Sequence, residues 1–151
     1  MIVYRLTKEK HLDLSGKGAE IYGGRWNSKG HRMLYTSSSR ALAMAECLVH
    51  LYTDILPPLM MMIIYIPDQI EVVEVKQNIL KNNWDEFPPK FETRHFGDQF
   101  LDEKKYLLMK VPSAVVQGDF NILCNPLHIQ FAEIKIVDTE IFRFDRRLLR
   151  R

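Results

Sequence analysis

Apolar and polar positions alternate through residues 2–6, Ile-Val-Tyr-Arg-Leu, well enough for an opening strand. The pattern then breaks, because five of the seven glycines fall at positions 16, 18, 23, 24 and 30, and this stretch reads as loop. Such a cluster marks either tight turns or a backbone that something must approach closely, so a ligand is expected here. Residues 33–36 read as a short strand, Ser37-Ser38-Ser39 as a turn and N-cap, and the segment that follows as a helix to about Tyr52. Pro57-Pro58 closes that unit. Residues 59–66 form a buried strand and 70–75 a second one, joined by Pro67-Asp68-Gln69. Residues 82–91, with Pro88-Pro89, read as irregular, whereas 93–106 place Phe96, Phe100 and Leu101 on one face of a helix. Short strands follow at 107–111, 114–116, 122–124, 133–137 and 140–144, divided by Pro112, Gly118-Asp119, Asn125-Pro126 and Asp138-Thr139. Many short strands with two or three helices predict an α+β fold, and no internal repeat suggests a solenoid.

A length of 151 residues predicts a single domain over 1–151, and 46% hydrophobic with 26% charged residues excludes a disordered or collagen-like chain. The net charge of +2 makes no case for a nucleic-acid binder. Its distribution changes the picture: residues 143–151 hold five arginines and one aspartate, leaving the rest of the chain slightly acidic. This tail either meets an acidic segment of a partner, with Asp145 and Leu148 tying it to the domain, or is a solvated end. Lys8, Glu9, Lys10, His11 and Asp13 interrupt any leader-like start, and the longest apolar run, 59–66, is far shorter than the ~18–20 residues that cross a bilayer as a helix. Two cysteines, Cys47 and Cys124, fit a reducing compartment as buried thiols. A cytoplasmic protein without membrane association is therefore expected.

Common cofactor signatures are missing. Gly16-Lys17-Gly18 has no third glycine in register, and GxxxxGK[ST] and GxSxG do not occur. The histidines at 11, 31, 50, 95 and 128 make no HxxxH pair and there is no CxxC, so no metal site is expected. Four residues nevertheless stand where chemistry is feasible. Arg25, between Gly23-Gly24 and Trp26-Asn27, either stacks on the indole or offers its planar donor fork to a phosphate or carboxylate. Glu46 lies about 40° from Leu42 and about 60° from Val49 around the helix, at the edge of the apolar stripe. It either pairs with His50 one turn on or points into a cleft. Tyr35 reads by itself as a core aromatic, and Ser113, after Pro112, as a turn residue.

The order of the phrases is more telling than any one of them. They run Tyr4-Arg5, Leu14-Ser15-Gly16 with Gly18-Ala19, Gly23-Gly24-Arg25-Trp26-Asn27, Leu34-Tyr35-Thr36-Ser37, and Ala43-Met44-Ala45-Glu46. Further on come Val111-Pro112-Ser113-Ala114-Val115, Asn121, Asn125-Pro126 with His128, and a closing Phe144-Asp145-Arg146-Arg147-Leu148. Over nearly its whole length the chain resembles the RES-domain family of bacterial toxins, named for an arginine, a glutamate and a serine. That resemblance implies a fold like that of ADP-ribosyltransferases, with NAD as substrate in a cleft and NAD depletion by cleavage of the nicotinamide–ribose bond with water or phosphate. Transfer of ADP-ribose to a cellular protein is the alternative. It further implies a cognate antitoxin, with a helix-turn-helix DNA-binding part, that occludes the cleft; a homodimer within such a complex is compatible with it. Glu46 and Arg25 would be catalytic, with Glu46 on the ribose and Arg25 on the pyrophosphate or adjoining ribose. Tyr35 would pack against nicotinamide and Ser113 would bond the nicotinamide-ribose end. An RNA-binding or RNA-cleaving toxin is a competing reading of the basic tail, but no segment gathers His, Lys and Glu, and the aromatics do not interleave with the basic residues. An interaction module without catalysis is the third.

Overall fold

A computed structural model describes residues 1–51 and 56–149. The chain runs β1 (Ile2–Lys8), α1 (Lys17–Tyr22), β2 (Leu34–Ser37), α2 (Arg40–Leu48), β3 (Leu59–Tyr65), β4 (Val72–Glu74), α3 (Phe91–Glu103), β5 (Leu108–Pro112), β6 (Phe120–Cys124) and β7 (Lys135–Phe142), with short 3-10 turns between. All seven strands share one sheet in the order β4-β5-β6-β2-β1-β3-β7. Only β4 with β5 is parallel; the other neighbours are antiparallel. The architecture is α+β, as the alternation predicts.

Because successive side chains on a strand point to opposite faces, the pairing register sorts the core into two layers. On one face Val3, Leu34, Met62, Ile64, Leu108, Ile122 and Cys124 pack beneath Leu12, Leu14, Phe131 and Ile134. The other face carries two separate clusters. Tyr35, Met109, Val111 and Leu123 meet Trp26, Trp84 and the α3 residues Phe96, Phe100 and Leu101. Leu6, Met61 and Ile63 meet Ala43, Met44 and Cys47 of α2. Ser37 and Asn121, each two residues from a member of the first cluster and paired with each other in register, lie at the seam between the two. Ser37 is buried there and Asn121 half-buried, and the sheet holds both.

Helix α2 begins where its cap predicts. Ser39 is extended at φ −144°, and its Oγ accepts the Leu42 amide at 3.1 Å. Arg40 then clamps the helix start to the sheet edge through Glu140 at 2.6 and 2.9 Å and lies over the Tyr4 ring. The helix ends at Leu48, earlier than expected, because His50 and Leu51 bond back only three residues and tighten the last turn; the expected end at Tyr52 lies outside the described residues.

Other expectations are corrected. The glycine-rich stretch contains α1, bracketed by Gly16 and Gly23 with φ near +67° and +69°. Helix α3 starts at Phe91 and stops at Glu103, where Lys104 takes a left-handed conformation. The strand read at 114–116 is a turn that folds back over Ser113. The two strands expected around Asp138-Thr139 are one strand, with Asp138 and Thr139 paired to Ile63 and Met62 and an irregularity at Ile63/Ile64. As an edge strand, β7 tolerates polar residues that elsewhere would signal a turn. In the tail, Asp145 accepts from Arg147, a local bond, and Leu148 is 42% exposed, so neither ties the tail down; Phe144 does, through the α2 cluster and the Phe142 ring.

Candidate active site

The loop after α1 is built around Asn27, which is fully buried and satisfies three backbone carbonyls, those of Ala19, Ser28 and His31, at 2.8, 3.1 and 3.0 Å. Its remaining oxygen accepts the Tyr35 hydroxyl at 2.7 Å, and that hydroxyl in turn accepts the Trp26 amide at 3.1 Å. Burial pushes the Tyr35 phenol well above its ordinary range and keeps it protonated for this donation. Gly24 is required here, since a Cβ would stand 2.5 Å from the Tyr35 hydroxyl. Gly97 of α3 serves the same loop from below: a Cβ there would lie 1.5 Å from the Trp26 carbonyl oxygen, so only glycine lets α3 touch this backbone.

The Asn27–Tyr35 arrangement holds Arg25. Its Nη1 donates to the carbonyls of Trp84 and Glu86 at 2.8 and 3.0 Å, while Trp26 and Trp84 bring their rings to 6.1 Å. Among the described residues Arg25 does not stack on an aromatic ring, and its fork is only part-committed: Nη1 fixes the loop at 84–86, and Nε and Nη2 bond no described residue. Burial lowers its pKa, opposed first by the charge of Glu46 and then by that of Asp85, which places Glu46 within electrostatic reach.

Glu46 does not pair with His50; among the described residues it forms no ion pair. Its Oε1 accepts the Ser113 hydroxyl at 2.8 Å and the Asn121 amide at 2.6 Å. Ser113 can aim its single proton there because its oxygen accepts the Val115 and Val116 amides at 3.1 and 3.0 Å, the use of the turn that replaces the expected strand. Asn121 accepts the Ser37 hydroxyl at 2.9 Å through its own oxygen. The four residues singled out in the sequence thus fall into two joined groups, Arg25 with Tyr35 and Glu46 with Ser113. Asn27, Ser37 and Asn121 stand in the ordered phrases without an assigned role and Gly97 in none; Ser37, Asn121 and Gly97 act on residues distant in sequence. Two cavities, about 290 and 220 Å³, lie elsewhere: one beside His31 and Asn125, the other behind Pro112 and Asp119, and neither is lined by Arg25 or Glu46. Arg25 and Glu46 are each half-buried. Among the described residues there is no cluster of His, Cys, Asp and Glu suited to a metal, and no helix is long and apolar enough to cross a membrane.

The RES domain family model covers residues 2–146. The chain belongs to the RES domain family. A relative named Toxin Res, from Yersinia enterocolitica, is 36% identical over 152 residues that cover 98% of this chain and 99% of that protein. A second, named Prs ADP-ribosylating toxin, from a Sphingobium species, is 36% identical over 142 residues, 92% of this chain and 88% of that one. In fold, this RES domain is similar to a chain of the Mycobacterium tuberculosis MbcT–MbcA toxin-antitoxin complex, with a TM-score of 0.74 at 16% identity over 93% of this chain and 83% of that one.

Proposed function

We propose that this RES domain is the toxin of a toxin-antitoxin pair and depletes NAD by cleaving its nicotinamide–ribose bond, with water or phosphate as acceptor. The observation that carries this reading is a carboxylate held by two donors on one oxygen, with no bond from a described residue to the other oxygen and a part-committed guanidinium nearby. Breaking that bond sends its electron pair out with nicotinamide and leaves positive charge on the ribose, a state like that of glycoside cleavage. Glu46 Oε2 stabilises this charge and holds the ribose hydroxyls. A preorganised interaction of this kind lowers the barrier by ~2.7–4 kcal/mol. The acceptor oxygen then bonds the sugar carbon and gives up its proton to solvent or to Glu46. Arg25 offers Nε and Nη2 to the pyrophosphate or adjoining ribose, the Tyr35 ring packs against nicotinamide, and Ser113 serves the nicotinamide-ribose end through its bond to Glu46. No step calls for a metal. An antitoxin with a DNA-binding part would neutralise the toxin by covering this seam.

Transfer of ADP-ribose to a protein side chain is the second reading, favoured by the name of the Sphingobium relative. The purified chain incubated with NAD separates the two. Free nicotinamide with ADP-ribose or its phosphate supports depletion, and label fixed on cell protein supports transfer. A chain that releases no nicotinamide overturns both.

A further inference from the structure

We propose that Asn121, oriented by Ser37, is a positioning residue that fixes the Glu46 carboxylate and so determines which of its oxygens faces the substrate. The inference rests on the reading of Glu46 as the carboxylate that meets the sugar. It starts from the donor arithmetic. An ionised carboxylate only accepts, so the Asn121 atom 2.6 Å from Glu46 Oε1 must be the amide nitrogen. The amide oxygen then points the other way, where the Ser37 hydroxyl donates to it at 2.9 Å. Ser37 is only 5% exposed and faces Asn121 directly across the β2–β6 pairing, so its hydroxyl bonds within this pair. If that donor were lost, the amide would be free to flip and present oxygen to carboxylate, which is repulsive.

Helix α2 brings Glu46 to the seam, but a glutamate has three rotatable bonds, and one hydrogen bond leaves the carboxylate free to swing about it. Ser113 approaches from the turn after β5 and Asn121 from β6, so two independently supported donors meet on Oε1. Both being on one oxygen leaves Oε2 without a bond from any described residue. Transition-state stabilisation depends on such fixed placement, because a group that must reorganise during the reaction loses part of its advantage.

The test uses the full chain with Asn121→Ala, Ser37→Ala, Ser37→Thr and the Asn121→Ala/Ser37→Ala pair, read by nicotinamide release from NAD and by the ¹³C carboxyl resonance of Glu46 in substrate-free protein. Asn121→Ala should lower kcat about 10- to 100-fold while KM stays within about threefold, the split expected when only transition-state placement is lost. Ser37→Ala should lower kcat less, about three- to tenfold, Ser37→Thr should restore it, and the pair should be no worse than Asn121→Ala alone. The Glu46 resonance should move in Asn121→Ala without any ligand. If kcat of Asn121→Ala remains within threefold of wild type, or the resonance does not move, the proposal is overturned. If wild type itself releases no nicotinamide, the functional reading fails, and the resonance alone then decides the positioning. Should Asn121→Ala not fold, Ser37→Ala and its threonine rescue decide the question in its place.

Discussion

The two ends of the seam are held by different means. At the Glu46 end, short side chains on strands and a sheet-bound turn grip the carboxylate: Ser37 and Asn121 on β2 and β6, and Ser113 just past β5. At the Arg25 end, the guanidinium grips a loop, through the Trp84 and Glu86 carbonyls, and Arg94 holds the next part of that loop through Pro89 at 2.6 Å. On the proposed reading, the difference follows from what each group must do. A carboxylate that stabilises a developing charge needs placement within tenths of an ångström, which a hydrogen-bonded sheet supplies. A phosphate is a large anion with several oxygens, and a fork that reaches it from a loop can adapt.

The largest effect should come from the rigid end. Glu46→Gln keeps size and removes charge, and kcat for nicotinamide release should fall by about 10²–10³ with an unchanged melting temperature. A greater kcat loss in Arg25→Ala than in Glu46→Gln would reverse the comparison. Next is the support of the loop end: Gly97→Ala drives a Cβ into the Trp26 carbonyl. Overpacking of this kind costs about 3 kcal/mol or more, seen as a drop of roughly 6–12 °C in Tm, with KM raised because Arg25 is displaced. A native Tm would mean that α3 is free to move away and that the loop end is looser than described. Arg25→Lys sharpens the contrast, since it keeps charge and loses the fork; KM should rise about tenfold with kcat within about threefold.

The smallest effect probes the sheet that carries both ends. Burial pushes the Cys124 thiol up to about 12 from an ordinary 9. Between those values the unfolded chain loses this proton while the folded chain keeps it, so the unfolded state binds fewer protons and stability falls as pH rises from 9 towards 12. Burial of the Tyr35 phenol acts in the same direction from its own ordinary value near 10. Denaturant unfolding at pH 8, 9 and 10 should show this loss, and Cys124→Val should flatten its thiol share. A variant with the same slope as wild type would remove Cys124 from the account.

Much of this was legible along the chain. The α2 cap at Ser39 depends on residues three apart, and the alternation in β1 and the apolar run of β3 follow from local patterning, so neighbouring residues carry the signal. Arg25, Tyr35, Glu46 and Ser113 stood out through the ordered phrases around them, although no rule of spacing said that Glu46 would meet Ser113 rather than His50. What the tertiary structure decided was pairing at a distance. Asn121 meets Glu46 across 75 residues and Ser37 across 84, because β6 settles beside β2 in one register. Gly97 matters because α3 packs against the Trp26 backbone, and residues 114–116 turn rather than extend because Ser113 collects their amides. Local periodicity encodes which face of an element is apolar, whereas which polar side chains share a seam depends on strand order and register. Those are set only when the whole sheet closes over its core.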